Sequence, residues 1–363
     1  MAVLAVALAA LAAFGIGLTL RPVGRGQVRS SEARQVSAQL AARYYRRLPS
    51  AVLAQPTVAA MIASLHDRYT TYLTPAEYRA ARRAYAGGYS GIGVRVLPAP
   101  GGLLVRRTVL GPARIAGIKA GDTILAVDGT STAALAFHEA IGRILGRAGS
   151  RVSLRVRRGG RTLEFALVRR HFRLSPVHAR LVGHVGVIRI AAFSQGAARQ
   201  TTAAVKELRR GGARAIVLDL RGDPGGLLGE AVGVASLFLR GGESVVSLAG
   251  AHRPLKIVYA RPGGPTAIPL AVLVDGKSAS ASEVVAGALK DHGRATIVGQ
   301  PTFGKSLVQE IDRLPSGAAL KLTVARYLTP AGVDISRGGL QPDIRSRHAL
   351  AAALRLLSAG RRG

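Results

Sequence analysis

The spacing of apolar residues changes twice along the chain, and the changes mark its organisation. Between Glu32 and Leu48, Val36, Leu40 and Tyr44 recur at every fourth position, and between Thr57 and His66, Val58, Met61, Ile62 and Leu65 share one face. Both patterns predict amphipathic helices. Thr74-Pro75-Ala76-Glu77 supplies a cap, a proline at the first helical position and a glutamate three residues after the cap, so a short helix starts there. Residues 31–86 therefore read as a helical region. From 87 to 172 glycines cluster, β-branched runs are short and one helical stretch remains, near Ala134 to Leu145. Val152–Val156 and Leu163–Leu167 alternate on either side of Arg158-Gly159-Gly160-Arg161, a hairpin signal. This region predicts a small β-rich domain. From 183 to 345 the apolar runs Val185–Ile190, Ala215–Leu220, Leu270–Val274 and Thr296–Val298 alternate with helical segments over Thr201–Arg210, Gly229–Leu239 and Ala281–Asp291. Alternating strands and helices predict a mostly parallel sheet flanked by helices. The fold class is thus multidomain: a mixed α/β core sheet flanked by helices, a β-rich domain before it and an N-terminal helical segment. Residues 346–363 read as a basic, amphipathic C-terminal tail able to form a terminal helix.

Ala2 to Leu20 carries no charge over 19 residues and is followed by Arg21, Arg25 and Arg29. That length can span a bilayer, so residues 1–20 read as a signal peptide or a membrane anchor. Arginines after the segment would, by charge bias alone, keep the following region in the cytoplasm. An apolar content of 48% with 19% charged residues supports buried cores. The absence of cysteine excludes disulfides, thiolate nucleophiles and cysteine zinc sites. A formal net charge of +32 brings nucleic acid or an anionic membrane surface into consideration. The arginines, however, are spread as singles and pairs (Arg46-Arg47, Arg106-Arg107, Arg157-Arg158, Arg209-Arg210), and aromatics make up 4% with no Trp, a poor stacking platform. No specific nucleic-acid partner is expected. The eight histidines form no ligand constellation, so no metal and no cofactor is called for. His292 adjoins Asp291, but adjacent residues at a helix end do not orient one another.

Three segments could carry chemistry. Ser278-Ala-Ser280-Ala-Ser282-Glu283 follows an apolar strand and opens a helix, where free N–H groups and positive potential can serve a nucleophile. Ser280-x-x-Glu283 is equally a capping box, which helices need without catalysis. Gly299-Gln-Pro-Thr-Phe-Gly304-Lys305-Ser306 matches the phosphate-cradling P-loop pattern, although the following LVQEIDRL stops at Pro315, short for the helix such a loop feeds. Asp219-Leu-Arg221-Gly-Asp223-Pro-Gly225-Gly226 follows another strand, and its glycines either bring backbone N–H groups close to a ligand or make an ordinary strand-to-helix turn.

In order, SLHDRYTTYLTPAEY (64–78), YSGIGVRV (89–96), AGIKAGDTILAVDG (116–129), DLRGDPGG (219–226), VDGKSASASEVVAGALKD (274–291), VGQPTFGKSLVQ (298–309), LKLTVARYLTPAG (320–332) and GGLQPDI (338–344) resemble the carboxy-terminal processing, or tail-specific, proteases. The resemblance covers residues 55–345 and implies a serine–lysine protease core over 173–345 with a PDZ domain over 87–172. It makes Ser280 the nucleophile, Lys305 the base and Gln309 the partner that orients the lysine amine. An aqueous lysine is protonated at neutral pH, so the role requires burial beside apolar neighbours such as Phe303 and Leu307. By the same resemblance the oxyanion hole is the N–H of Ala281 with that of Gly225 or Gly226, and Asp291 is a supporting residue. The family's usual DLRNNPGG is DLRGDPGG here, which puts a carboxylate, Asp223, beside that turn. The loop Gly91, Ile92, Gly93 and Val94 resembles the carboxylate-binding loop of PDZ domains, where successive N–H groups hold a peptide terminus and the peptide adds as an edge strand.

The resemblance implies an ATP-independent serine endopeptidase. Its partners would be protein or peptide substrates with free C-terminal tails. The catalytic part would lie outside the cytoplasm, in the cell envelope, the periplasm or secreted, with membrane association through residues 2–20. Homo-oligomerisation is left open. Two other readings stand beside it: a catalytically silent PDZ scaffold that binds tails, and a P-loop nucleotide-binding protein.

Overall fold

The computed structural model describes residues 30–173, 175–263 and 267–359. The apolar segment over residues 1–20 lies outside them. Among the described residues no helix is long and apolar enough to cross a membrane. The chain divides into two compact units, one built from residues 86 onward to 174 and the other from the segments before and after it.

The smaller unit is an antiparallel sheet in the order Val94–Ala99, Gly102–Thr108, Thr123–Val127, Arg151–Arg158, Arg161–Val168. The hairpin predicted around Gly159-Gly160 is present, with Arg158 paired to Arg161 and both glycines at positive φ. Along Arg151–Arg158, Val152, Leu154 and Val156 are buried while Arg151, Ser153, Arg155 and Arg157 are exposed. This two-residue alternation gives the sheet one apolar face. That face packs on Ile144 and Ala140 of the helix Phe137–Ile144. Gly88–Gly91 pairs with Arg170–Arg173, bringing the two ends of the unit together.

The larger unit holds two sheets. The first runs Val177–Val182, Val185–Ile190, Ala215–Asp219, Leu270–Val274, Thr296–Gly299, Ile344–Arg345. Its first pair is antiparallel and the others are parallel. Neighbouring residues of one strand serve opposite cores. Ile216 and Leu218 pack with Phe193, Phe238 and the helices Ala197–Arg210, Leu228–Ala235 and Ala281–Asp291. Ala215 and Val217 pack with Ala349 and Ala353 of the helix Ala349–Ala359. Within the region read from sequence as a basic, amphipathic tail, the helix Ala349–Ala359 turns its alanines and leucines onto a sheet face that water would otherwise reach.

The second sheet is antiparallel and was not predicted. Ala319–Leu328 pairs with Thr71–Leu73, with Ser244–Gly250 and with Leu307–Arg313, and Arg253–Tyr259 pairs with Ser244–Gly250. One face takes the N-terminal helices, through Val36, Leu40, Tyr44, Met61 and Leu65 against Leu320, Leu322 and Val324. The helices fall at Ser30–Arg43, Val58–Ser64 and Pro75–Tyr85, close to the periodicity. Glu77 accepts the N–H of Thr74 at 2.8 Å, completing the expected cap. LVQEIDR after Lys305 is a strand rather than a helix, so the P-loop pattern lacks the helix N-terminus that would receive phosphates.

Candidate active site

Ser280 sits where the central strand Leu270–Val274 turns into the helix Ala281–Asp291. Its backbone adopts φ 55° and ψ −111°. An ordinary N-cap residue lies in the extended region. A non-glycine residue at positive φ costs about 1–3 kcal/mol and persists only where its surroundings enforce it. This geometry separates Ser280 from a simple cap and gives it the strained strand-to-helix corner of a nucleophile elbow.

The enforcement comes from two adjoining turns. Asp275 Oδ1 accepts the N–H groups of Gly222 at 2.9 Å and of Lys277 at 2.9 Å. The Ser278 hydroxyl donates to the Leu220 carbonyl at 2.8 Å, and the Ala279 N–H donates to the Asp223 carbonyl at 3.0 Å. Gly225 lies against the elbow so closely that a Cβ there would meet Ala279 O at 2.6 Å and Ser280 Cβ at 2.9 Å. Its N–H is taken by Asp223 Oδ1 at 2.8 Å. Among the described residues neither the Gly226 N–H nor the Ala281 N–H has a partner. Of the two glycines named from sequence, Gly226 is therefore the one whose donor is uncommitted.

Glu283, read from sequence as a cap, joins the elbow to the lysine segment. It is 1% exposed. Its Oε2 accepts the Ser280 N–H at 2.7 Å and the Lys305 N–H at 3.0 Å, while Oε1 accepts the Gly304 N–H at 2.7 Å and the Thr302 hydroxyl at 2.5 Å. Tyr327, reaching from the second sheet, donates its hydroxyl to the Ser280 carbonyl at 3.2 Å. Gly304, at φ 84°, lets the segment pass Ile335 O and Gly339 N, which a Cβ would meet at 2.9 and 3.1 Å.

Lys305 Nζ lies 4.8 Å from the centre of the Tyr69 ring. Burial is the main cause that lowers its pKa, to about 8; Glu283 and Asp67 oppose the fall and Arg68 adds to it. The apolar neighbour expected from sequence is corrected: Phe303 is 43% exposed and lies under the Arg68 guanidinium, and Tyr69 covers the amine instead. Gln309 is also placed differently. Its amide donates to the Thr323 hydroxyl at 3.5 Å, and among the described residues it makes no hydrogen bond to Lys305. A register shift between Val308 and Gln309 accompanies this orientation.

Sequence reading missed Asp67, whose charge acts on the lysine. Asp67 accepts from the Thr323 hydroxyl at 2.7 Å, the Thr70 hydroxyl at 2.7 Å and the Tyr69 N–H at 2.9 Å. Lys321, 5% exposed, lies in the same charge field, and burial lowers its pKa to about 7. The sequence signal for Asp67 is the DRYTTYL run, one of the segments that carry the family resemblance. Asp291 accepts the Ala331 N–H at 2.8 Å, bracing a loop. His292 contacts the Ser244 carbonyl at 2.8 Å and does not pair with Asp291. Among the described residues no group of three or more His, Asp or Glu could hold a metal ion.

In the smaller unit the carbonyls of Ile92 and Gly93 accept from Ala113 and Val109, each at 2.9 Å. The N–H groups of Ile92 and Gly93 have no partner among the described residues. Gly93 has φ 82°, and a Cβ there would meet Phe172 at 2.8 Å. Val94–Ala99 follows as an edge strand of its sheet.

The Peptidase family S41 profile matches residues 184–346 and a PDZ domain profile matches 108–158. The carboxyl-terminal-processing protease of Picosynechococcus is 38% identical over 309 residues, covering 80% of this chain and 72% of that protein. The carboxy-terminal processing protease CtpA of Bacillus subtilis is 31% identical over 311 residues, covering 85% and 67%. A solved structure of a photosystem II D1 C-terminal processing protease superposes with a TM-score of 0.55 at 30% identity, covering 87% of this chain and 92% of that one. With its PDZ unit, its two-sheet core and this degree of likeness, the chain belongs to the carboxyl-terminal-processing proteases, serine-type peptidases of family S41.

Proposed function

We propose that this peptidase is an ATP-independent endopeptidase that works through Ser280 and Lys305 on proteins whose free C-terminal tails its PDZ domain captures. The observation that carries the reading is the carboxylate of Glu283, which holds the Ser280 N–H and the Lys305 N–H together at the end of the central sheet.

The chemistry follows from the groups in place. Neutral Lys305 takes the hydroxyl proton of Ser280 as Oγ attacks the scissile carbonyl. The oxyanion forms at the helix N-terminus, where the Ala281 N–H and the Gly226 N–H are uncommitted donors. Lys305 then gives its proton to the leaving amine, and water hydrolyses the acyl-enzyme by the same relay. Thr323 and Asp67 set the polar floor under the lysine, and Gln309 acts through Thr323. Asp291 is a brace for the loop at Ala331.

A tail carboxylate would accept from Ile92 and Gly93 while the peptide pairs with Val94–Ala99. Substrates are proposed to be exported proteins, with residues 2–20 serving as leader or anchor and the peptidase acting outside the cytoplasm. A silent scaffold would have no use for a half-buried lysine with a lowered pKa tied through Glu283 to a strained serine.

The test is degradation of an unfolded protein with a free apolar tail, without ATP and with chelator present. The purified protein is expected to cut it, and Ser280→Ala and Lys305→Ala are each expected to stop cutting while tail binding persists. Cleavage retained by both variants would overturn the assignment.

A further inference from the structure

We propose that Asp223 is a positioning residue that works as a neutral carboxylic acid, holding the oxyanion turn against the elbow at Ser280 as an amide would. The inference rests on the serine–lysine reading above.

Asp223 is fully buried. Its Oδ1 accepts the Gly225 N–H at 2.8 Å, whereas Oδ2 is buried with no hydrogen-bond partner. Its backbone carbonyl takes the Ala279 N–H at 3.0 Å and the Ser282 hydroxyl at 3.1 Å. One residue thereby ties the turn at Gly225 to both sides of the nucleophile. An ionised carboxylate in this place would carry a buried charge with only the Gly225 N–H and the nearby Ser282 hydroxyl to oppose its desolvation, and that hydroxyl already donates to the Asp223 backbone carbonyl. The penalty for such a charge is on the order of several kcal/mol, far more than one hydrogen bond returns.

The surrounding charges do not rescue the anion. Arg189 is the cation that faces it from the strand Val185–Ile190, and that guanidinium is engaged by the Arg221 carbonyl at 3.0 Å and by Asp219 at 3.5 Å. Asp219 itself is paired with Arg221, and Asp275 on the neighbouring turn adds negative charge. From the helix Ala281–Asp291 the facing group is the neutral Ser282. Burial accordingly raises the Asp223 pKa well above the ordinary carboxylate range.

A second consequence concerns the reaction. A negative charge at Asp223 would lie two residues from Gly225, next to the place where the oxyanion develops, and would oppose it. The neutral acid lets Oδ1 hold the turn without that opposition. The chain's DLRGDPGG, in place of the amide-bearing DLRNNPGG, is then tolerated for as long as the proton stays.

The experiment has a spectroscopic and a kinetic arm. Infrared difference spectra of Ser280→Ala against Ser280→Ala/Asp223→Asn, at neutral pH, are expected to show the carbonyl stretch of a neutral acid lost with Asp223. In the active protein Asp223→Leu is expected to lose about tenfold or more in kcat. Asp223→Asn is expected to restore activity and to extend it to higher pH than wild type. A carboxylate band lost in place of the neutral-acid band would overturn the proposal. So would an Asp223→Asn variant that folds with no more activity than Asp223→Leu. The infrared arm uses a protein without Ser280, so it stands even if the serine–lysine reading fails in the Ser280→Ala assay.

Discussion

Glu283 Oε2 lies 2.7 Å from the Ser280 N–H nitrogen and 3.0 Å from that of Lys305, so one oxygen fixes both halves of the site. Replacing Glu283 by Ala would strand four donors, those of Ser280, Lys305, Gly304 and Thr302. Each unsatisfied buried group costs about 1–3 kcal/mol. Glu283→Ala is therefore expected to lower stability by several kcal/mol and to reduce kcat far more than it raises KM. Glu283→Gln keeps the shape but turns an NH2 toward N–H groups, so it is expected to recover stability only in part. Urea unfolding and peptide hydrolysis on the same preparations check this; a Glu283→Ala variant with wild-type kcat would show that the shared carboxylate is incidental.

In the proposed serine–lysine relay the lysine sets the pH dependence. With a pKa of about 8, Lys305 is neutral in roughly a tenth of molecules at pH 7, one unit below its midpoint. The rising limb of kcat/KM is expected to have its midpoint near pH 8 and to disappear in Lys305→Ala along with activity. Tyr69→Ala removes the ring that covers the amine. The lost cation–π contact, about 0.5–2 kcal/mol, would favour the neutral form, whereas the added water favours the charged one. Burial is the largest cause of the lowered pKa, so the limb is expected to move to higher pH, toward 10.5. A limb displaced to lower pH in Tyr69→Ala would mean that the ring serves as a cation–π partner and not as a cover.

Gly225 offers a test confined to the oxyanion turn. It lies at φ 96°, and an added Cβ would fall 2.6 Å from Ala279 O and 2.9 Å from Ala281 N. Neither is a flexible side chain, so the turn itself must shift. Gly225→Ala is expected to cut kcat by about a hundredfold, the scale of losing one oxyanion donor, with KM little changed. Tail-peptide binding by the PDZ unit should be unaffected and reports that the protein is folded. Wild-type kcat in this variant would place the oxyanion hole elsewhere.

Where the sequence was legible, one physical pattern dominated. Leu270–Val274 is a continuous apolar run, and Val185–Ile190 one broken only by Gly186 and Arg189, because helices cover both faces of their sheet, and their limits match the sequence reading, as do those of Ala281–Asp291. The second sheet was hidden for the opposite reason. Arg253–Tyr259 is mostly exposed and shows no clean alternation, and Leu307–Arg313 carries Glu310, Asp312 and Arg313 within a short apolar run. Ala319–Leu328 decides the conformation of this sheet, pairing with Leu307–Arg313 as a hairpin and with Thr71–Leu73 and Ser244–Gly250 across a long sequence distance. The same distance hid part of the site. Ser280 and Lys305 lie on segments with their own local signals, whereas Asp67 reaches the site through Thr323, 256 residues away in sequence. Glu283 was visible only as a cap, because the four donors it serves come together in three dimensions.

Lys321 yields the last expectation, on stability rather than activity. Burial lowers its pKa to about 7, with the nearby Lys305 charge adding to the fall and Asp67 opposing it. The unfolded chain holds this proton up to its ordinary 10.5, so between about 7 and 10.5 the unfolded state binds more protons and this residue makes stability rise with pH. Below 7 both states are charged, and the folded one bears the full desolvation cost, on the order of a few kcal/mol at about 1.4 kcal/mol per pKa unit. Lys321→Met fills the space without the charge. Its stability relative to wild type is expected to be highest below pH 7 and to decline steadily toward pH 10.5. Chemical denaturation at pH 6 and pH 9 reads the difference. A gap that is equal at the two pH values would mean that Lys321 keeps an ordinary pKa, and that a charged amine is tolerated beneath the active site.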